Sequence, residues 1–134
     1  MDVRCGEVPM SRRVLVVDDT ELNRKLAVAI LKREGWYAED VASGEEALVS
    51  LSGDHGYDVV LLDIRMPGMS GEEVCAILRA DTHTATLPVI AYTAHALEDE
   101  VDGFIERGFN AVLIKPISLV TLMDILNKTL GISA

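Results

Sequence analysis

Four short apolar runs constrain the fold more than anything else in the chain, because each is β-branched, uninterrupted and stopped by a polar residue. Val14 to Val17 stops at Asp18-Asp19, and Asp58 to Leu62 at Asp63. Pro88 to Tyr92 stops at Thr93, and Ala111 to Ile114 at Lys115-Pro116. A strand apolar on both faces belongs in a parallel sheet covered by helices on each side. Trp36 to Val41 is a weaker fifth run that suits a sheet edge.

Helical patterns fill the intervals. Leu22, Leu26, Ala29 and Ile30 recur at helical spacing, and Gly35 supplies a stop. Ser43 with Glu46, and Ser70 with Glu73, have the capping-box spacing ahead of Ala47, Leu48, Leu51 and of Val74, Ile77, Leu78. Leu97, Val101, Phe104 and Ile105 predict a fourth helix ending near Gly108. Leu119, Leu122, Met123, Leu126 and Leu130 predict a fifth, capped by Ser118 and closed by Gly131. Strands alternating with helices imply right-handed crossovers and a doubly wound α/β sheet in one domain, without repeat or linker.

The composition sets several functions aside. Twelve basic residues against twenty-two acidic ones leave a formal charge of −10, a surface that a nucleic-acid backbone repels. Cys5 and Cys75 form no metal-type or disulfide pattern, and Cys75 reads as a buried thiol among Val74, Ala76, Ile77 and Leu78. The first ten residues lack a signal-peptide core, and no uncharged run is long enough to span a membrane, so a soluble cytoplasmic protein is expected.

Ligands of open parallel sheets bind beyond the carboxyl ends of the strands, where strand order reverses. Asp18, Asp19, Asp63, Thr93 and Lys115 all stand at such ends. Any one of them could be a turn former or helix cap, Asp19 or Thr20 especially. Together they are harder to explain that way. Two carboxylates 4 Å apart repel by about 4 kcal/mol at an effective dielectric near 20. Such a cluster calls for a cation, and an all-oxygen donor set with room for water selects Mg²⁺. Magnesium and a lysine are the usual partners of a transferring phosphoryl group, and a carboxylate can serve as its nucleophile. Asp63 stands alone at a central strand end and fits the nucleophile; Asp18 and Asp19 fit the metal site.

At this point the chain resembles the receiver domains of response regulators (CheY-like) in two-component signalling. The matching pieces are VLVVDD at 14–19, VVLLDIRMPGMSG at 59–71, AYTA at 91–94 and KPI at 115–117, within a domain expected over 12–131 behind a tail of 1–11. The resemblance implies a flavodoxin-like three-layer sandwich: a five-stranded sheet of order 2-1-3-4-5 flanked by five helices. It makes Asp63 the phosphoacceptor, and Asp18, Asp19, Asp63 and the backbone carbonyl of Arg65 the protein ligands of Mg²⁺. Thr93 becomes the switch hydroxyl, and Lys115 the phosphate-binding lysine, followed by a cis peptide to Pro116. Gly68 and Gly71 suit the tight loop over the site, and Ala94 the small residue beside the phosphate. Arg65 and His95 match the positions that tune loss of the phosphoryl group; His55 and His83 read as loop residues.

Val112 departs from the pattern, since many members carry an aromatic there that swings inward. The resemblance to hybrid-kinase and stand-alone relay receivers further implies docking of a histidine kinase or histidine phosphotransfer protein at Leu22, Asn23, Leu26, Pro116 and Ile117. No output domain is expected after the fifth helix, and a monomer or weak dimer is expected. A signalling module that catalyses only its own phosphorylation and dephosphorylation is the leading expectation. An aspartate-nucleophile phosphatase wants a second Asp two positions after the nucleophile, where Arg65 stands. A degenerate receiver serving only to bind proteins fits poorly with the intact acidic set.

Overall fold

The computed structural model describes residues 12–94 and 98–131. The expected tail, His95 and Leu97 lie outside the described residues. The elements alternate as read: β1 (Arg13–Val17), α1 (Glu21–Arg33), β2 (Tyr37–Val41), α2 (Gly44–Ser50), β3 (Val59–Asp63), α3 (Gly71–Ala80), β4 (Val89–Thr93), α4 (Glu98–Glu106), β5 (Ala111–Ile114) and α5 (Leu119–Leu130). All pairings are parallel, in the order β2-β1-β3-β4-β5. This is the doubly wound sheet expected, with the weak fifth run at the edge.

Strand alternation divides the apolar runs between two cores. Leu15, Val17, Val60, Leu62, Val89 and Ala91 pack under Ala47, Val74, Cys75, Leu78 and Phe104 of α2, α3 and α4. Val14, Val16, Val59, Leu61, Ile90, Tyr92 and Leu113 pack under Ala27, Leu31, Leu122 and Leu126 of α1 and α5. Both faces are therefore dry, which is why the runs carry no polar alternation.

The caps follow the sequence with one change. Ser70 and Glu73 close a full capping box, and Ser118 accepts from the Thr121 N–H. Ser43 accepts from the Glu46 N–H, but the Glu46 carboxylate accepts from Ala42, not Ser43. Gly131 ends α5 at φ 69°.

The inward faces of the helices differ from expectation. Leu22 and Leu26 are 76% and 44% exposed and Ala29 is exposed, while Ala27 and Leu31 face the core. Ile77, Ile105 and Leu119 also point outward. Residues 26–31 of α1 are apolar all round, so spacing alone cannot choose the buried stripe.

One side chain ties the far end of the domain together. The guanidinium of Arg79 donates to the carbonyls of Gly108, Thr84, Ala85 and Leu87 and to Asn110 Oδ1, at 2.7–3.3 Å. A planar fork with five donors can make that set; an ammonium cannot.

Candidate functional site

The register sets the site. Val17 is level with Leu62, Asp63 with Tyr92, and Thr93 with Ile114, so four strands end on one rim. Asp18 leaves β1 fully buried; Asp63 and Thr93 end β3 and β4, 4% and 5% exposed. Lys115 follows β5, and its backbone N–H donates to the Thr93 carbonyl at 2.7 Å. The Lys115–Pro116 peptide is cis, as the resemblance implied.

The acidic residues do converge. Asp18, Asp19 and Asp63 each offer a carboxylate oxygen within 4.8 Å of the others. Lys115 Nζ lies 3.2 Å from Asp18 Oδ2 and 3.2 Å from Asp63 Oδ1, bridging the two buried carboxylates. Asp18 Oδ1 accepts from the Thr20 N–H at 2.9 Å. Asp18 Oδ2 is buried and accepts no hydrogen bond among the described residues; its contact with Lys115 is electrostatic, outside hydrogen-bond geometry. Thr20 heads α1 without a side-chain cap bond. The carboxylates are therefore not consumed as helix caps.

Burial, and next the negative charge of Asp18, push the Asp63 carboxyl up to about 6, against the opposing pull of Lys115. One ammonium thus leaves the cluster short of positive charge. An orphaned buried carboxylate oxygen and an all-oxygen donor set fit a hard divalent cation such as Mg²⁺.

The loop over the site has two glycines with different reasons. Gly68 adopts φ 77°, the left-handed region that disfavours a side chain. Gly71 starts α3 against the backbone of the phosphoacceptor candidate: a Cβ there would sit 2.2 Å from the Asp63 carbonyl oxygen and 2.9 Å from Ile64 Cα. Arg65 is exposed on the same loop, beside a cleft of about 540 Å³ that reaches from Thr93 to Phe104 and Arg107. Val112 is half-buried against the α2–α3–α4 core.

Of the expected docking residues, Leu22, Leu26 and Pro116 are exposed and Asn23 is half-buried. Ile117 corrects the expectation: at 8% exposure it belongs to the α1–α5 core, because the turn after Pro116 folds it beneath α5.

Two contributors were not legible. Arg24 donates from Nη1 to the Asp18 carbonyl at 3.0 Å and from Nε to Asp40 Oδ2 at 2.9 Å, pinning the acidic turn to β2. The only signal is an arginine one turn into the helix that follows an acidic pair. Tyr92, 1% exposed, sets its ring face 4.6 Å from Lys115 Nζ.

Comparison with known proteins agrees with this fold. A family model described as the response regulator receiver domain matches residues 14–127. DivK of Brucella abortus, a polar-differentiation response regulator, is 35% identical over 122 residues, covering 91% of this chain and 98% of DivK. Hybrid signal transduction histidine kinase E of Dictyostelium discoideum is 34% identical over 90% of this chain, which spans 7% of that kinase. Among solved structures, the chemotaxis regulator CheY4 of Vibrio cholerae superposes with a TM-score of 0.83 at 27% identity, covering 90% of this chain and 99% of CheY4. The receiver domain of a Pseudomonas aeruginosa sensor histidine kinase gives 0.81 at 30% identity, covering 90% and 98%; it was solved with a magnesium ion coordinated in its active-site cleft. The chain belongs to the response regulator receiver family, the CheY-like modules of two-component signalling. Among the described residues, no helix is long and apolar enough to cross a membrane.

Proposed function

We propose that this receiver accepts a phosphoryl group on Asp63 from a phosphohistidine and passes the event on as a change of shape or as the phosphoryl group itself. The observation that carries the reading is the Lys115 ammonium held 3.2 Å from both Asp18 and Asp63, with Asp19 as the third carboxylate of the cluster. An Asp63 oxygen attacks phosphorus as the P–N bond to the donor imidazole breaks, the electron pair leaving on nitrogen, which takes up a proton. Lys115 binds a phosphoryl oxygen and Thr93 donates its hydroxyl to another. Mg²⁺, held by Asp18, Asp19, Asp63 and the Arg65 backbone carbonyl, would supply a hard cation that offsets charge on the transferring group. Asp18 would help to hold it as one of the acidic pair.

The phosphodonor docks over α1 at Leu22, Asn23 and Leu26 and at Pro116, in the cytoplasm, on a domain that is a monomer or weak dimer. Phosphorylation adds charge and acceptor oxygens at the rim and draws Thr93 inward, biasing the surface between two states. With Val112 in place of an aromatic, coupling runs through Thr93 and the loop that follows it.

Incubation with Mg²⁺ and acetyl phosphate, followed by intact-mass measurement, tests this. A gain of one phosphoryl group that Asp63→Asn abolishes is expected. No gain in wild type would mean a degenerate, protein-binding receiver; turnover of an added phosphomonoester would mean a phosphatase.

A further inference from the structure

Lys115 carries the only ammonium described within reach of both buried carboxylates, and it sits at the end of a flexible four-carbon stem. Its backbone is tied to Thr93, but that bond does not fix the head group. Two of the groups that do fix it, Asp18 and Asp63, change during the proposed reaction: Asp63 becomes an acyl phosphate, and the cation alters the field at both. The third contact does not change. Tyr92 presents its ring face to Nζ at 4.6 Å, well inside the range of a cation–π attraction. The ring itself cannot follow the lysine, since it is 1% exposed and packed with Ile90, Leu113, Ile117 and Leu122 in the α1–α5 core. Its hydroxyl stays protonated, burial and then Asp18 and Asp63 pushing it up to about 12.

We propose that Tyr92 is a positioning residue whose buried ring face holds the Lys115 ammonium at the strand rim, keeping it aimed at the phosphoryl group while the charges on Asp18 and Asp63 change. Tyr92 touches neither the phosphoryl group nor the cation; it acts through Lys115. The proposal rests on Lys115 serving as the phosphoryl-binding cation.

Two measurements test it. The rate of phosphorylation by acetyl phosphate is compared in wild type, Tyr92→Leu and Tyr92→Phe, and again with Tyr92→Leu added to Lys115→Ala. Removing the ring slows phosphorylation about three- to tenfold, the span of a partly desolvated cation–π contact. Tyr92→Phe, which keeps the ring, recovers the rate to within about twofold of wild type. In the Lys115→Ala protein, adding Tyr92→Leu changes the residual rate less than about twofold, because the group it acts through is gone. A loss below threefold for Tyr92→Leu, an equal loss for Tyr92→Phe, or a full loss persisting without Lys115 would each overturn the proposal.

The second measurement is the NMR shift of the Lys115 ε-methylene protons. The ring moves them upfield in wild type and in Tyr92→Phe, and Tyr92→Leu abolishes the displacement. Absence of that displacement in folded wild type would overturn the proposal even if Tyr92→Leu fails to fold. If wild type takes no phosphoryl group at all, the reading of Asp63 fails, while the ring-current shift still decides where Tyr92 holds Lys115.

Discussion

Replacing the phosphoacceptor candidate with its neutral isostere, Asp63→Asn, is expected to stabilise the metal-free protein at neutral pH. The folded protein holds the Asp63 proton up to about 6, whereas the ordinary value is 3.8. At 1.36 kcal/mol for each tenfold change, that corresponds to about 3 kcal/mol of unfavourable free energy once the carboxyl is ionised. The sign follows from proton counting. Between pH 4 and pH 6 the folded state keeps a proton that the unfolded state has lost, so the wild-type protein loses stability as pH rises through that window and is level above it. Asn carries no such penalty and leaves Lys115 its contact with Asp18. Relaxation around the site will reduce the gain to about 1–3 kcal/mol. Urea unfolding of both proteins in EDTA at pH 4, 6 and 7.5 measures it: no difference at pH 4, and the full gain at pH 7.5. An Asn protein less stable than wild type at pH 7.5, or a gain independent of pH, would refute the claim that charge crowding strains this pocket. Adding Mg²⁺ should narrow the gap, since it stabilises wild type selectively.

Other consequences concern the frame around the pocket. Gly71→Ala drives a Cβ to 2.2 Å from the Asp63 carbonyl oxygen, and because that neighbour is backbone, a loss of about 2–3 kcal/mol by thermal unfolding is expected together with slower phosphorylation. Arg79→Lys keeps the charge but loses the fork that reaches four carbonyls and Asn110; a loss of about 2 kcal/mol in urea is expected, and a neutral result would remove Arg79 from the frame. Arg24→Ala frees the Asp18 carbonyl and Asp40, so calorimetry should show Mg²⁺ affinity weakened about threefold or more, with an unchanged constant counting against the brace.

The sheet and its rim were readable because a parallel strand buried on both faces leaves an unbroken apolar run, and its carboxyl end is where the run stops. Asp18, Asp19, Asp63, Thr93 and Lys115 announce themselves in that way. Which stripe of α1 turns inward was not readable, since Leu26 through Leu31 offer an apolar residue in every direction; the sheet chose Ala27 and Leu31. Arg24 and Tyr92 escaped for a different reason. Each acts by reaching a neighbour brought close only by the tertiary fold, Asp40 across to β2 for one and Lys115, just past the end of the adjacent strand, for the other. Ile117 misled because adjacency to an exposed proline says nothing about which way a turn folds its next side chain.

The most direct test is to find which residue becomes an acyl phosphate. The protein is treated with Mg²⁺ and acetyl phosphate, reduced with borohydride, which converts an aspartyl phosphate to homoserine, and mapped by peptide mass. Homoserine at position 63, dependent on Mg²⁺ and formed much more slowly when Lys115 is replaced by Ala, is the expected result. Homoserine at Asp18 or Asp19 instead, or none anywhere in a protein that has gained a phosphoryl group, would contradict it.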